Sequence, residues 1–466
     1  MIEQNNVKNL IIQAQRLGDL VMTFPLFNWL KKQDNKEIFV LAEEKFYKEL
    51  LRISPQVTYI PTREMAYLKK FSYDTIINLS HREDTAKLTA SLEKKCLYGL
   101  EEKNSCRQIF GKWQLYRASL THNNHYNRLH WADLNALDHI RPHIIQAAKW
   151  AVPQGKQNGK IGLFVGASEE AKRPSIDFWA DLALQLNKKG YNPIFISGPS
   201  KEEQRIAYAA AKKAQMPHGV IPGSLSIVEL IQFIESLQLF ICPDTGPMHA
   251  ASFANVPTLN LSLGPVHPWE TAPYPPHHYV IRSSLSCSGC WQCTKKEQFC
   301  RRAFIPHRIA TLVHSLLLQK QLPRIPGITL FKTGRNALGL YELEAVFGDK
   351  PYHSKQADFW RYFFLYMLSD KNERYQASYE KSKAGLFSAL PQLIPPMQKA
   401  YLSMIKQLLI TEKTNAILAP NTWREFPPLF RPLASYIQLL LENGNYSKEL
   451  RLQAMELLEN FSSALK

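Results

Sequence analysis

The sequence has no run of about 18 apolar residues, so it offers no membrane-spanning helix. Its first residues, MIEQNNVKNLIIQAQ, lack the charged-then-apolar layout of a secretory signal, and a cytoplasmic location is expected. Neither a GxxxxGK(S/T) phosphate loop nor a GxGxxG dinucleotide fingerprint occurs, which sets aside the commonest nucleotide-binding motifs. Lys/Arg blocks, zinc-finger spacings and aromatic RNA-binding motifs are missing too, so nucleic acid is not an expected partner. Acidic residues are in deficit: 57 Lys and Arg against 40 Asp and Glu leave a net charge of +17. With nucleic acid set aside, that balance suits an anionic membrane face or a phosphorylated ligand.

Cysteine is scarce, yet four of the seven cysteines crowd into one stretch, CSGCWQCTKKEQFC. Cys287, Cys290, Cys293 and Cys300 make C-x2-C-x2-C-x6-C. In a reducing compartment four close thiols point to a metal rather than to disulfides. Thiolates at this density suit a structural mononuclear site, zinc ahead of iron, because the last spacing exceeds the ferredoxin-type run. Disulfides and free thiols are the alternatives.

The rest of the chain is ordinary in composition and long enough for two or three domains. Apolar runs such as NLIIQAQ, EIFVLA and DTIINLS alternate with helical stretches up to about residue 152, which predicts a parallel sheet in an α/β lobe. After the polar linker PQGKQNGK the alternation restarts, predicting a second α/β lobe over 160–325. From about residue 330 strand-like runs disappear, and KQADFWRYFFLYML, PPMQKAYLSMIKQLLI and SKELRLQAMELLENFSSAL carry helical periodicity. This predicts an appended helical domain over 330–466. The bland reading of it is packing or oligomerisation, with its apolar faces as core; the other reading is a docking module for a protein or membrane partner.

Three strand-to-helix junctions carry polar chemistry. In RLGDLVMTFP, Gly18 permits a tight turn and Asp19 stands where a helix begins, either as a cap or as a carboxylate on the cleft side of the sheet. In FVGASEEAKRPS, Gly166, Ala167 and Ser168 end a strand, and Lys172 and Arg173 follow. Small turn residues beside a fixed cation suit a diphosphate, an ordinary charged loop being the bland alternative. In PDTGPMHAAS, Asp244, Thr245 and Gly246 lie between a strand and a helix whose first turn holds Pro247. Free N–H groups at that helix start, with the Thr245 hydroxyl, suit a phosphate. His249 reads either as a core histidine or as part of the same site.

Taken together, QRLGDLVMTFPL, GAS…KRP, PDTGPMHAASFANVPTLNLSLGP and TAPYPPHH resemble the marks of glycosyltransferase family nine, the ADP-heptose:lipopolysaccharide heptosyltransferases. The resemblance runs over roughly residues 8–320 and leaves the helical tail uncovered. It implies a GT-B fold, two Rossmann-like lobes with the nucleotide sugar held mainly by the second. It also implies Asp19 as general base and Lys172 on the diphosphate of an ADP-sugar donor. Asp244, Thr245, Gly246 and His249 would be donor contacts, and Glu202, with Glu203 next to it, a ribose contact. Inverting transfer without a catalytic cofactor is implied. The acceptor would be a lipopolysaccharide core or lipid-linked glycan at the inner-membrane face. Transfer onto a protein is a rival within the family, some of whose protein-modifying members carry a cysteine-bound metal. A non-catalytic sugar-nucleotide or partner-binding scaffold is a rival of another class. The chain departs from the family pattern at Gln13, Gln15 and Arg16, where an arginine and serine-like residues are usual. Arg16 then becomes a candidate donor-phosphate contact. The usual tryptophan is also missing from KRPS.

Overall fold

Asn9–Gln13, Ile38–Ala42 and Thr258–Ser262 are buried at every position. Strands covered on both faces are what a parallel sheet flanked by crossover helices demands. A computed structural model describes residues 9–465 except 222, 288, 289, 292, 294, 296 and 349–352. It is a mixed α/β chain with two parallel-rich sheets and a run of helices at the C-terminal end.

The first half supplies β1 (Asn9–Gln13), β2 (Ile38–Ala42), β3 (Thr58–Pro61), β4 (Ser72–Asn78), β5 (Glu93–Lys103) and β6 (Cys106–Phe110). The pairs β1–β4, β4–β5 and β2–β3 are parallel, and β5–β6 is antiparallel. The second sheet is built from β7 (Lys160–Phe164), β8 (Asn192–Ile196), β9 (Val220–Ile221), β10 (Leu239–Pro243), β11 (Thr258–Ser262), β12 (Tyr279–Ser283), β13 (Ile328–Arg335) and β14 (Tyr341–Phe347). Its order is β14-β13-β12-β11-β10-β7-β8-β9. From β9 to β12 every pairing is parallel. The order reverses between β7 and β10, and in a sheet of this kind the crevice at that switch point receives the ligand.

Strands were expected to end near residue 330, and the structure corrects this. Residues 328–347 form the antiparallel pair β13–β14 and extend the second sheet beyond β12. Ile328 and Leu330 join the core, and Gly339, at φ +80°, allows the reversal between the two strands. The helical segment therefore starts later, with Ser354–Leu368. It continues through Glu373–Phe387, Ile394–Thr414, Arg431–Asn443 and Lys448–Ala464. Aromatic packing holds it together: Trp360 stacks on Phe461 at 5.6 Å between ring centroids, and Phe359, Phe363 and Phe430 also meet Phe461.

The chain divides into two compact units. One comprises Met1–Ile12, Tyr67–Leu129 and Tyr352–Lys466; the other comprises Gln13–Ala66 and His130–Pro351. The second unit contains all three of the polar strand-to-helix junctions. Its core gathers Leu163, Trp179, Phe195, Ile241, Leu261, Ile281 and Leu330 from strands of the second sheet and a covering helix.

Candidate functional site

The short helix Leu17–Val21 begins after Arg16, whose backbone is extended, so Asp19 occupies the first turn rather than the cap position. The Asp19 carboxylate accepts from the Arg16 N–H at 3.3 Å, and the Asp19 carbonyl accepts from Thr23 Oγ1 at 2.8 Å. The carboxylate thus serves the helix start from the first turn, as the reciprocal half of a capping box. The Arg16 residue itself is exposed.

Thr245 precedes the helix Gly246–Phe253 with no side-chain cap, and Pro247 sits in the first turn. The N–H groups at that end therefore point outward without a local side-chain acceptor. Asp244 accepts from Thr271 Oγ1 at 3.0 Å, which orients its carboxylate. His249, one turn into the helix, is buried, and its Nε2 stands 4.0 Å from Asp244 Oδ1.

The helices Leu17–Val21 and Gly246–Phe253 meet through glycines. A Cβ on Gly18 would lie 3.1 Å from His249 Cδ2, and one on Gly246 would lie 3.0 Å from Leu17 Cδ2. Burial pushes the His249 pKa below its ordinary value, and the Lys172 cation pushes the same way. The carboxylates of Asp244 and Asp19 oppose the shift. One buried imidazole therefore feels Asp19, Lys172 and Asp244 at once, although Asp19 stands 153 positions from Lys172 and 225 from Asp244 in the sequence. Its Nδ1 has no hydrogen-bond partner among the described residues.

Lys172 ends a short turn, Glu170–Lys172, and pairs with Glu169 at 3.2 Å. Arg173 donates from Nε to the Ala167 carbonyl at 2.7 Å and ties that turn to the end of β7. Gly264, at φ +69°, supports it from the other side, because a Cβ there would stand 2.3 Å from the Ala171 carbonyl oxygen. Ser168 is exposed.

Glu202 and Glu203 part company. Glu202 is exposed and makes a two-pronged pair with Arg205. Glu203 is buried between strand ends: a Cβ on Gly166 would meet its Oε1 at 2.3 Å, and one on Gly198 would meet its Oε2 at 2.3 Å. Ser200 Oγ donates to the same carboxylate at 2.9 Å. The glutamate that reaches the glycine turn is Glu203, not the expected Glu202, because the two point to different faces of the helix Lys201–Lys213.

Arg282 was not foreseen. It is buried on β12, and donates to the carbonyls of Ser262 at 3.1 Å and Gly264 at 3.3 Å. Burial lowers its pKa, and Cys300, Cys290, Cys287 and Asp244 oppose that shift. Nothing in the spacing of YVIRSS singles it out; its role follows from the β11–β12 register, which sets Ser262 opposite Arg282.

All seven cysteines are free thiols. Burial raises the Cys290 pKa, and the thiols of Cys287, Cys293 and Cys300 act on it electrostatically. The four are therefore neighbours, but among the described residues no three His, Cys, Asp or Glu side chains converge as a metal-holding group. The expected zinc or iron ligand set is not assembled: Cys287 and Cys293 are exposed, and Cys293 Sγ donates to the Lys295 carbonyl at 3.7 Å. The donor chemistry suits a soft metal, while the placement does not.

A lipopolysaccharide heptosyltransferase 1 of Pseudomonas aeruginosa is 22% identical over 370 residues, covering 68% of this chain and 99% of that protein. A lipooligosaccharide heptosyltransferase 2 of Campylobacter jejuni is 29% identical over 183 residues; the match spans 37% of this chain and only 56% of that relative's length. The solved structure of E. coli ADP-heptose LPS heptosyltransferase II superimposes with a TM-score of 0.50 at 19% identity, covering 67% of this chain and 99% of that one. That likeness bears on the fold, α/β of the GT-B kind with added C-terminal helices. The family model for glycosyltransferase family 9 (heptosyltransferase) matches residues 63–300, half of the sequence. The chain belongs to glycosyltransferase family 9.

Proposed function

We propose that the protein is an inverting heptosyltransferase that moves a heptose or related sugar from an ADP-sugar to a lipopolysaccharide core or lipid-linked glycan. The observation that carries this reading is the convergence of Asp19, Lys172 and Asp244 on the buried His249, in a chain of this family. Asp19 takes the proton of the acceptor hydroxyl as that oxygen bonds to the anomeric carbon. The bond from that carbon to the diphosphate breaks in the same step, and ADP leaves with the electron pair. Lys172 and the N–H groups at Thr245 and Gly246 stabilise the charge growing on the departing diphosphate. Arg16, Gly18, Gly166 and Ser168 line the donor side, with Glu203 in place of Glu202 as the ribose contact. The acceptor side is assigned to 1–152 and the donor side to 160–325.

The reaction needs no catalytic metal in this reading. The four-cysteine stretch is a separate structural element. As placed, Cys287, Cys290, Cys293 and Cys300 form no ligand set among the described residues, so zinc or iron there would require the loop to refold around the ion, metal binding and loop folding being coupled. The protein is placed at the cytoplasmic face of the membrane that carries its acceptor.

The test is a turnover assay across ADP-, UDP- and GDP-sugars with a lipopolysaccharide core acceptor. Turnover is expected with the ADP-heptose donor and not with UDP- or GDP-sugars. Nucleotide binding without turnover for any donor and acceptor would favour the scaffold reading instead.

A further inference from the structure

The helix Ile394–Thr414 buries Met397, Ala400, Met404, Leu408 and Thr411 along one stripe. The opposite stripe faces solvent and is not polar in the ordinary way. Leu402 is 62% exposed, Ile410 49% and Leu409 45%. Lys399, Lys406 and Lys413 recur every seven residues on that same outward side, interleaved with the leucines, and all three are exposed. The helix has a single acid, Glu412, which the helical repeat puts on the flank of the stripe. The outward face is thus apolar and cationic together, with no carboxylate at its centre. Beyond the helix end Ile417 adds a further apolar side chain, 72% exposed.

Several large apolar side chains exposed on one helix face mark an interaction surface. Its charge selects the occupant. Two copies of this stripe brought face to face would oppose lysine to lysine, whereas an anionic lipid surface meets apolar and cationic groups at once. Lysine stems lie along apolar surface while their ammonium groups reach the headgroups. We propose that the outward face of the helix Ile394–Thr414 docks the protein onto an anionic bilayer, with Leu402, Leu409 and Ile410 entering the acyl boundary and Lys399, Lys406 and Lys413 pairing with lipid phosphates. The helix lies outside the residues that the family model matches. The proposal deepens the membrane placement of the preceding reading and is independent of the transfer chemistry.

The test uses the full chain and sedimentation with vesicles of phosphatidylcholine alone or mixed with phosphatidylglycerol. Binding is expected only with the anionic vesicles and is expected to weaken with salt. Replacing the lysines together (K399A/K406A/K413A) is expected to weaken partition roughly a hundredfold. The variant L402S/L409S/I410S is expected to weaken binding while retaining salt dependence. All six side chains are exposed, so melting temperatures should stay close to that of the parent, which separates lost docking from lost folding. Absence of binding by the parent chain, or binding by either variant as tight as the parent's, overturns the proposal. So does a change in oligomeric state on light scattering with vesicle binding unaltered, which would make the face a contact for protein. Transfer to a soluble acceptor fragment should be unaffected by either variant, so failure of the docking and failure of the enzymatic reading give different results.

Discussion

Gly18 and His249 approach so closely that a Cβ on the glycine would stand 3.1 Å from the imidazole Cδ2. The first turn after β1 and the helix of the DTGPMH stretch are fitted to each other at this point. Valine at position 18 adds branched bulk where even a methyl is tight. G18V is expected to cost about 1–3 kcal/mol of stability as overpacking and to displace Asp19 from its place near His249. G246A meets only the end of the Leu17 side chain, at 3.0 Å, and should be milder. Comparing kcat/KM and urea midpoints for the two variants checks the order.

Asp19 already accepts a hydrogen bond from the Arg16 N–H. Its replacement therefore affects both the helix start and the proposed proton transfer. Asn keeps an acceptor oxygen for the cap and loses the base. D19N is expected to lower kcat by roughly a hundredfold to ten-thousandfold, with donor affinity changed only a fewfold. Titration of ADP binding beside single-turnover rates separates the two. Near-normal turnover in D19N would remove the general-base role.

Glu203 and Glu202 make the next test. The carboxylate of Glu203 fills the space that Gly166 and Gly198 leave open, while Glu202 is held outward by Arg205. E203Q is expected to raise the donor KM at least several-fold, and E202Q to leave it within about a factor of two, in line with typical exposed substitutions. Donor KM values for the pair decide it; equal effects would undo the assignment.

These residues also show what could be read from the sequence. The Gly18–Asp19 and Asp244–Gly246 junctions were legible because a strand ending in a small residue, an acid and a helix start is a local pattern. The choice between Glu202 and Glu203 was not, since neighbouring residues on a helix differ by about 100° in direction and only the strand ends they face decide which one counts. Arg282 had no local signal at all, because its partners Ser262 and Gly264 come from another strand and its loop. The strands β13 and β14 were missed for a related reason: their pattern of burial depends on the pairing of β13 with β12 and of β14 with β13, which composition does not reveal.

The four thiols invite a direct measurement. The Cys290 thiol is acted on electrostatically by those of Cys287, Cys293 and Cys300. Protein prepared without oxygen is expected to carry zinc or iron, and C290S to lose it, while donor turnover persists in the metal-free form. Elemental analysis of both preparations checks this; a parent protein free of metal would leave the cysteines as ordinary thiols.

His278 gives a prediction on pH. It is fully buried, and burial, with His277 adding to it, pushes its pKa from 6.5 to about 3. Between those values the unfolded chain binds a proton that the folded chain refuses, so stability falls as pH drops below about 6.5. At pH 5 the loss from this one group is about 2 kcal/mol, from 1.36 kcal/mol per pH unit. Neither ring nitrogen has a hydrogen-bond partner among the described residues, so leucine at this position gives up no such bond. H278L is expected to be at least as stable as the parent near pH 7.5 and to lose about 2 kcal/mol less on going to pH 5. Some slope should persist, because burial depresses His130 and His249 in the same direction. Urea midpoints at the two pH values, with the slope of each transition compared, test the difference; parallel losses in parent and variant would show that His278 titrates normally.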